Sequence, residues 1–136
     1  MYLLVKALLI IWTLPNTLIG LTAGIVGLAT GGKAQKRQGC IEFYGGFVEK
    51  GLERLRVNGM TLGHVILGQT EHGLKVVRAH EQAHVRQYER WGPFFLPAYL
   101  GASAWLWLIG KDCYRDNPFE IQAYEIDDPA NFVDEQ

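Results

Sequence analysis

His80-Glu81-Gln82-Ala83-His84 is the string in this chain best equipped for chemistry. On a helix, positions four apart stand one turn above each other on the same face. Two imidazoles placed so can grip one Zn²⁺, and the Glu beside the first can take a proton from a water at that metal. The pattern points to one zinc ion and metal-assisted hydrolysis. His80 and His84 are the expected ligands and Glu81 the expected general base.

A catalytic zinc needs a third protein ligand and an open position for water. His64 and His72 compete for that place, as do Glu120, Glu125 and Asp127. Asn117-Pro118 opens a helix, since Asn caps well and Pro suits the first helical position. On that helix Glu120 and Ala123 share a face, and a small residue lets the helix cross the histidine helix closely. Glu120 is therefore the favoured ligand. Its competing role is local: it stands three residues after Asn117, where a capping-box Glu belongs. An oxyanion also needs a donor. Tyr88, Tyr99, Tyr124, His64 and His72 are the candidates.

These residues must be positioned by a small α+β unit. Leu74 to Trp91 reads as a helix carrying the histidines, ended by Gly92-Pro93. Ile41 to Tyr44 alternates as a strand. Leu52 to Val57 and Met60 to Leu67 flank Asn58-Gly59, a favoured hairpin turn, so a two- or three-stranded antiparallel sheet is expected. The strand from Met60 is a candidate edge on which an extended peptide could lie, with His64, Val65 and Ile66 as substrate-binding residues. The alternative is an ordinary half-buried strand.

With these parts in place, the chain resembles a zincin metallopeptidase of the gluzincin type. That family's pattern is H-E-x-x-H followed by a helical E-x-x-A-D or E-x-x-S-D. Here the match is His80, Glu81 and His84, then Glu120 and Ala123. The resemblance implies Glu120 as third zinc ligand in a minimal zincin-like unit. It also implies an Asp after Ala123 that supports a zinc-binding His. Tyr124 stands at that position instead, so its hydroxyl, Asp127 or a backbone carbonyl would have to serve.

The remaining features concern location. Residues 2–30 hold one charge, Lys6, and would run about 42 Å as a helix, more than the ~30 Å hydrocarbon core. The expectation is a retained membrane-associated segment at 1–32, kinked at Pro15. A signal peptide, or a hairpin bent at Pro15-Asn16 lying partly in the bilayer, are the rivals. Gly20 and Gly24 could admit a partner helix. Lys33, Lys36 and Arg37 place the domain after this segment on the cytoplasmic side. Residues 38–128 form the metal-binding domain, with an apolar insertion at 93–110 and an acidic tail at 129–136. If 93–110 crossed a bilayer, His84 and Glu120 would lie on opposite sides. Two short helices or a hairpin returning to the same side are expected, or else a buried core helix.

A net charge of −1 gives no footprint for nucleic acid. Cys40 and Cys113 do not make a disulfide scaffold. The expected function is a zinc-dependent peptidase acting on peptides or proteins at or near a lipid bilayer. The alternative is a non-catalytic membrane protein that uses the H-E-x-x-H helix for structural metal binding or for assembly with a partner.

Overall fold

The structure, a computed structural model, describes residues 1–127, with side chains as far as residue 126. The acidic tail expected at 129–136, and the side chain of Asp127, lie outside the described residues. The fold is α+β. Helix α1 (Tyr2–Ala29) leads into strands β1 (Lys33–Arg37) and β2 (Cys40–Tyr44), then helix α2 (Gly46–Leu55). Strands β3 (Gly59–Leu62) and β4 (Val65–Gly68) come next, then α3 (Glu71–Trp91), a 3-10 turn (Gly92–Phe94), α4 (Phe95–Leu108) and α5 (Pro118–Asp127).

The sheet has four strands in the order β1-β2-β4-β3. It is mixed: β1 with β2 and β3 with β4 are antiparallel, but β2 and β4 run parallel. That corrects the expected all-antiparallel sheet. The segment Leu52 to Val57, expected as a strand, is the end of α2 and the residues after it. Val48 and Leu52 explain the error: they are spaced by four and both buried, a helical stripe that a period of two also partly fits. Asn58-Gly59 joins α2 to β3. The hairpin turn is Gly63-His64, with Gly63 at φ +63°. A Cβ at position 63 would also collide with Thr17, so both backbone and space demand glycine.

The sheet is a middle layer. Phe43, Leu62, Val65 and Leu67 face α1 and α2, and cluster with Val48 and Leu52. Cys40 and Ile66 face α3, and cluster with Leu74 and Val85. Covered on both sides, β4 reads as an unbroken apolar run, as a doubly buried strand should. It is an interior strand, so the substrate role expected of Val65 and Ile66 is overturned. Both side chains are fully buried in the core. The free edge beside α3 belongs to β3.

Helix α1 is continuous through Pro15 and shows no hairpin. Among the described residues it is the one helix long and apolar enough to cross a membrane. Its buried residues are Thr13, Asn16, Gly20, Gly24 and Gly27, whereas Leu4, Leu8, Ile11, Leu18 and Ile25 point outward. The helix is thus inside out relative to a water-soluble one. Gly20 lies against Val65 and Gly24 against the Phe43 ring. Their close approach is used by this chain's own sheet. β1 belongs to the sheet as well, so the expected gap between 32 and 38 is not a boundary.

The apolar stretch 93–110 is the 3-10 turn plus one helix, α4, not two helices or a hairpin. Only Phe95 and Leu106 of α4 are buried, so it is not a core helix either. The turns after Leu108 bring the chain back to α3, which meets the topological condition.

Candidate metal centre

Helix α3 starts at an N-cap, Thr70, whose hydroxyl accepts from the Gly73 amide at 3.0 Å, and runs unbroken to Trp91. Its inner face presents His80, Glu81, Ala83, His84 and Gln87, all buried. Helix α5 crosses it. Ala83 and Ala123, the small residues on the two helices, are both fully buried.

At the crossing, Glu120 Oε2 lies 2.9 Å from His80 Nε2 and 3.2 Å from His84 Nε2. Two ligands ~2.05 Å from one ion at the tetrahedral angle stand ~3.3 Å apart, so the Glu120 oxygen sits near the spacing zinc requires from each histidine nitrogen. The three residues are buried, and their donor atoms lie within 4.8 Å of one another. This group could hold a metal ion. The capping-box alternative for Glu120 falls away. Asn117 caps α5 through its own Oδ1, which accepts from the Phe119 amide at 3.0 Å. The carboxylate of Glu120 points to the histidines and to the hydroxyl of Tyr99, 2.7 Å from Oε1.

The tautomer of His84 is set by its neighbours. Gln87 Nε2 donates to the Phe119 carbonyl and to Gln122 Oε1, both at 2.8 Å. Gln87 Oε1 is therefore the acceptor facing His84 Nδ1 at 2.8 Å, and Nδ1 carries the proton. That leaves Nε2 free as a ligand, the usual arrangement for metal-binding histidine. Without metal, burial pulls the His84 pKa down, but its bond to Glu120 and the charges of Glu81 and Glu120 outweigh this and raise it. Burial pushes Glu120 up. Hydrogen bonds from His80, His84 and Tyr99 then hold it at about 2.

Glu81 is buried beside this group, and burial raises its pKa despite the opposing pull of His84, Thr61 and His80. Thr61 on β3 donates to Glu81 Oε2 at 2.5 Å. The centre opens into a cleft of about 690 Å³ between β3, α3 and α4, bordered by Met60, Thr61, Leu96, Tyr99, Tyr114 and Tyr124.

The other expected site residues fare differently. Tyr124 lies at the cleft, its ring centroid 4.2 Å from that of His80 and its hydroxyl 3.0 Å from that of Tyr114. It does not support His80 Nδ1, which is buried without a hydrogen-bond partner among the described residues. His64 is not among the residues that border the cleft. Its Nδ1 meets Thr13 Oγ1 at 2.9 Å and its Nε2 meets Glu89 at 3.1 Å, so it staples α1 to α3. His72 is exposed on the first turn of α3, and Glu125 is outside the cluster. Thr61, Gln87 and Tyr99 are the contributors whose roles the sequence did not reveal. Gln87 carried a signal, three residues after His84 on the same face, and Tyr99 was expected only as a donor to an oxyanion, not as the partner of Glu120.

Comparisons with protein-family models, with curated proteins and with solved structures gave no match for this chain.

Proposed function

We propose that this protein is a zinc-dependent peptidase of gluzincin type, working at a membrane surface. One observation carries it: His80, His84 and Glu120 converge at a buried point beside Glu81 and at the floor of an open cleft. A structural zinc site is closed by four protein ligands. Here three are found among the described residues, and the fourth side faces the cleft. Zn²⁺ in such a site supplies a Lewis acid and a water that ionises near neutral pH. Glu81, whose raised pKa makes it a stronger base than an exposed carboxylate, receives the proton of the attacking water and can pass it to the leaving amine. Tyr124 and Tyr114 present hydroxyls to the cleft where an oxyanion would need a donor. The free edge of β3 offers backbone groups to an extended peptide.

The membrane part rests on exposed apolar surface. α1 turns its large aliphatic residues outward, and α4 exposes Leu100, Trp105, Trp107 and Leu108. A bilayer is the solvent in which such faces cost least. Glu49, Lys50, Glu53 and Arg54 on α2 keep the domain behind α1 out of hydrocarbon. α1 is then embedded along its outer face, and the cleft, walled by Leu96 and Leu100 of α4, opens close to lipid. Protein segments at the bilayer surface are the fitting substrates, and Lys33, Lys36 and Arg37 suit the cytoplasmic side.

The test is zinc content and peptide cleavage in wild type, Glu81→Gln and Glu120→Ala, purified in detergent. Glu81→Gln should keep its zinc and lose cleavage by at least ~10³-fold. Glu120→Ala should lose the metal. Zinc held with no cleavage of any peptide by wild type would favour a non-catalytic metal-binding protein instead.

A further inference from the structure

Helix α5 carries Glu120 but is not what holds it. Two contacts tie this ligand to α4. Tyr99 donates to Glu120 Oε1 at 2.7 Å, which leaves Oε2 to face both histidines. Asn117, fully buried at the start of α5, does more than a cap requires. Its Oδ1 serves the Phe119 amide, while its Nδ2 donates to the Tyr99 carbonyl at 3.2 Å and to Ser103 Oγ at 2.9 Å. Ser103 Oγ in turn donates to the Cys113 carbonyl at 3.0 Å, tying the connecting loop to the same helix. Both the tip of the Glu120 side chain and the first turn of its helix are thus anchored on α4.

We propose that Tyr99 and Asn117 are positioning residues for Glu120, and that α4 sets where the third metal ligand stands. This rests on the metal reading above. The chemistry is simple. A carboxylate free to rotate can offer either oxygen, or both. A hydroxyl bound to Oε1 withdraws that oxygen and fixes the plane of the group, so Oε2 is presented alone. Partners of this kind orient metal ligands and contribute to affinity. Asn117 fixes the other end, because a shift of the α5 first turn would carry Glu120 away from α3.

The position of α4 makes this consequential. Only Phe95 and Leu106 of α4 are buried, and its outer face is apolar and exposed. The element that aims Glu120 is therefore held along one face, through Phe95 and Leu96, and turns the other outward.

Tyr99→Phe isolates the effect, because the ring contacts with Phe95 and Phe119 remain and only the hydroxyl is lost. Asn117→Asp keeps the acceptor for the Phe119 amide and removes both donations to α4. Zinc affinity is measured by chelator competition, and the coordination of bound Co²⁺ by its visible absorption. Both variants should bind zinc ~10–100-fold more weakly than wild type. Tyr99→Phe should also alter the cobalt bands, as the released carboxylate changes the coordination number. Packing alone would leave those bands unmoved. Wild-type zinc affinity and an unchanged cobalt spectrum in Tyr99→Phe, with metal lost in Glu120→Ala, would overturn the positioning role and leave the metal site standing. A wild type that takes up neither zinc nor cobalt would overturn both. Should Asn117→Asp fail to fold, Tyr99→Phe decides alone.

Discussion

Thr61→Val should move the acid limb of the activity profile toward higher pH. Thr61 is buried on β3, and its hydroxyl donates to Glu81 Oε2 at 2.5 Å. Burial raises the Glu81 pKa, and this bond is one of the forces opposing the rise. A hydrogen bond to a charged group contributes ~1.5–3 kcal/mol, and one pKa unit is about 1.4 kcal/mol. Removing the hydroxyl without changing the side-chain shape takes away one of the forces that oppose burial, so the Glu81 pKa should rise further. In the proposed peptidase Glu81 must be ionised to act as base, so kcat/KM should fall tenfold per pH unit below that pKa. Cleavage of a quenched fluorescent peptide across the pH range would show the acid limb displaced toward higher pH, and at a fixed pH on that limb a loss of about tenfold or more. The high-pH plateau should change much less. Thr61→Ser keeps the hydroxyl and should restore the wild-type limb. An acid limb in Thr61→Val that coincides with wild type, at equal zinc content, would refute the claim that Thr61 tunes this carboxylate.

Gly59→Ala adds a Cβ 3.0 Å from Glu81 Oε1 and 3.1 Å from Val77 Cγ2, so the base must shift. Cleavage should fall by ~10–100-fold while zinc content, read by atomic absorption, stays at the wild-type level. Gly24→Val drives a side chain into the Phe43 ring. Overpacking of this kind costs ~1–3 kcal/mol and should show as a lower melting temperature, whereas Ile25→Leu, on the outward face, should be neutral. In metal-free protein the Glu120 to His84 ion pair should give a bell-shaped stability profile. Glu120 is depressed from 4.5 to about 2, so its contribution is lost as pH falls from 4.5 toward 2. His84 is raised above 6.5, so the same contribution is lost as pH rises through that higher value. Thermal melts in chelator from pH 2 to 9 would reveal the bell, and added zinc should remove its high-pH flank.

The candidate metal site was more legible in this sequence than the architecture. H-E-x-x-H is a local pattern, and a strong helix was enough to place His80 and His84 on one face. Glu120 could be named because Asn117-Pro118 fixes a helix start and Ala123 its contact face. The partners that orient these ligands were hidden, since Thr61 and Tyr99 reach the site only through tertiary packing. The sheet misled for a related reason. In β4, Val65, Ile66 and Leu67 have no alternation because both faces are covered, and the cover on one side is a helix that reads as membrane. The parallel pairing of β2 with β4 is a long-range fact, with α2 and β3 placed between them in the chain. Gln38-Gly39, the turn that joins β1 to β2, has both residues at positive φ but lacks the Asn-Gly or Asp-Gly signature.

A membrane anchor is often a leash that can be cut. The inverted face of α1 makes it a keystone instead. Trimming the chain at Ala29 would bare Val65, Phe43 and Val48, strip Thr13 and Thr17 from His64, and take Asn16 from the Gly92 carbonyl at the end of α3. No free-standing soluble fragment should result. Substitution should obey an unusual rule along this helix. With α1 in a bilayer, as proposed, outward positions need only stay greasy, while the inward Thr13, Asn16, Gly20, Gly24 and Gly27 must stay tiny or keep a particular hydrogen bond. The stretch that looks most like disposable packaging is then the least replaceable surface of the fold.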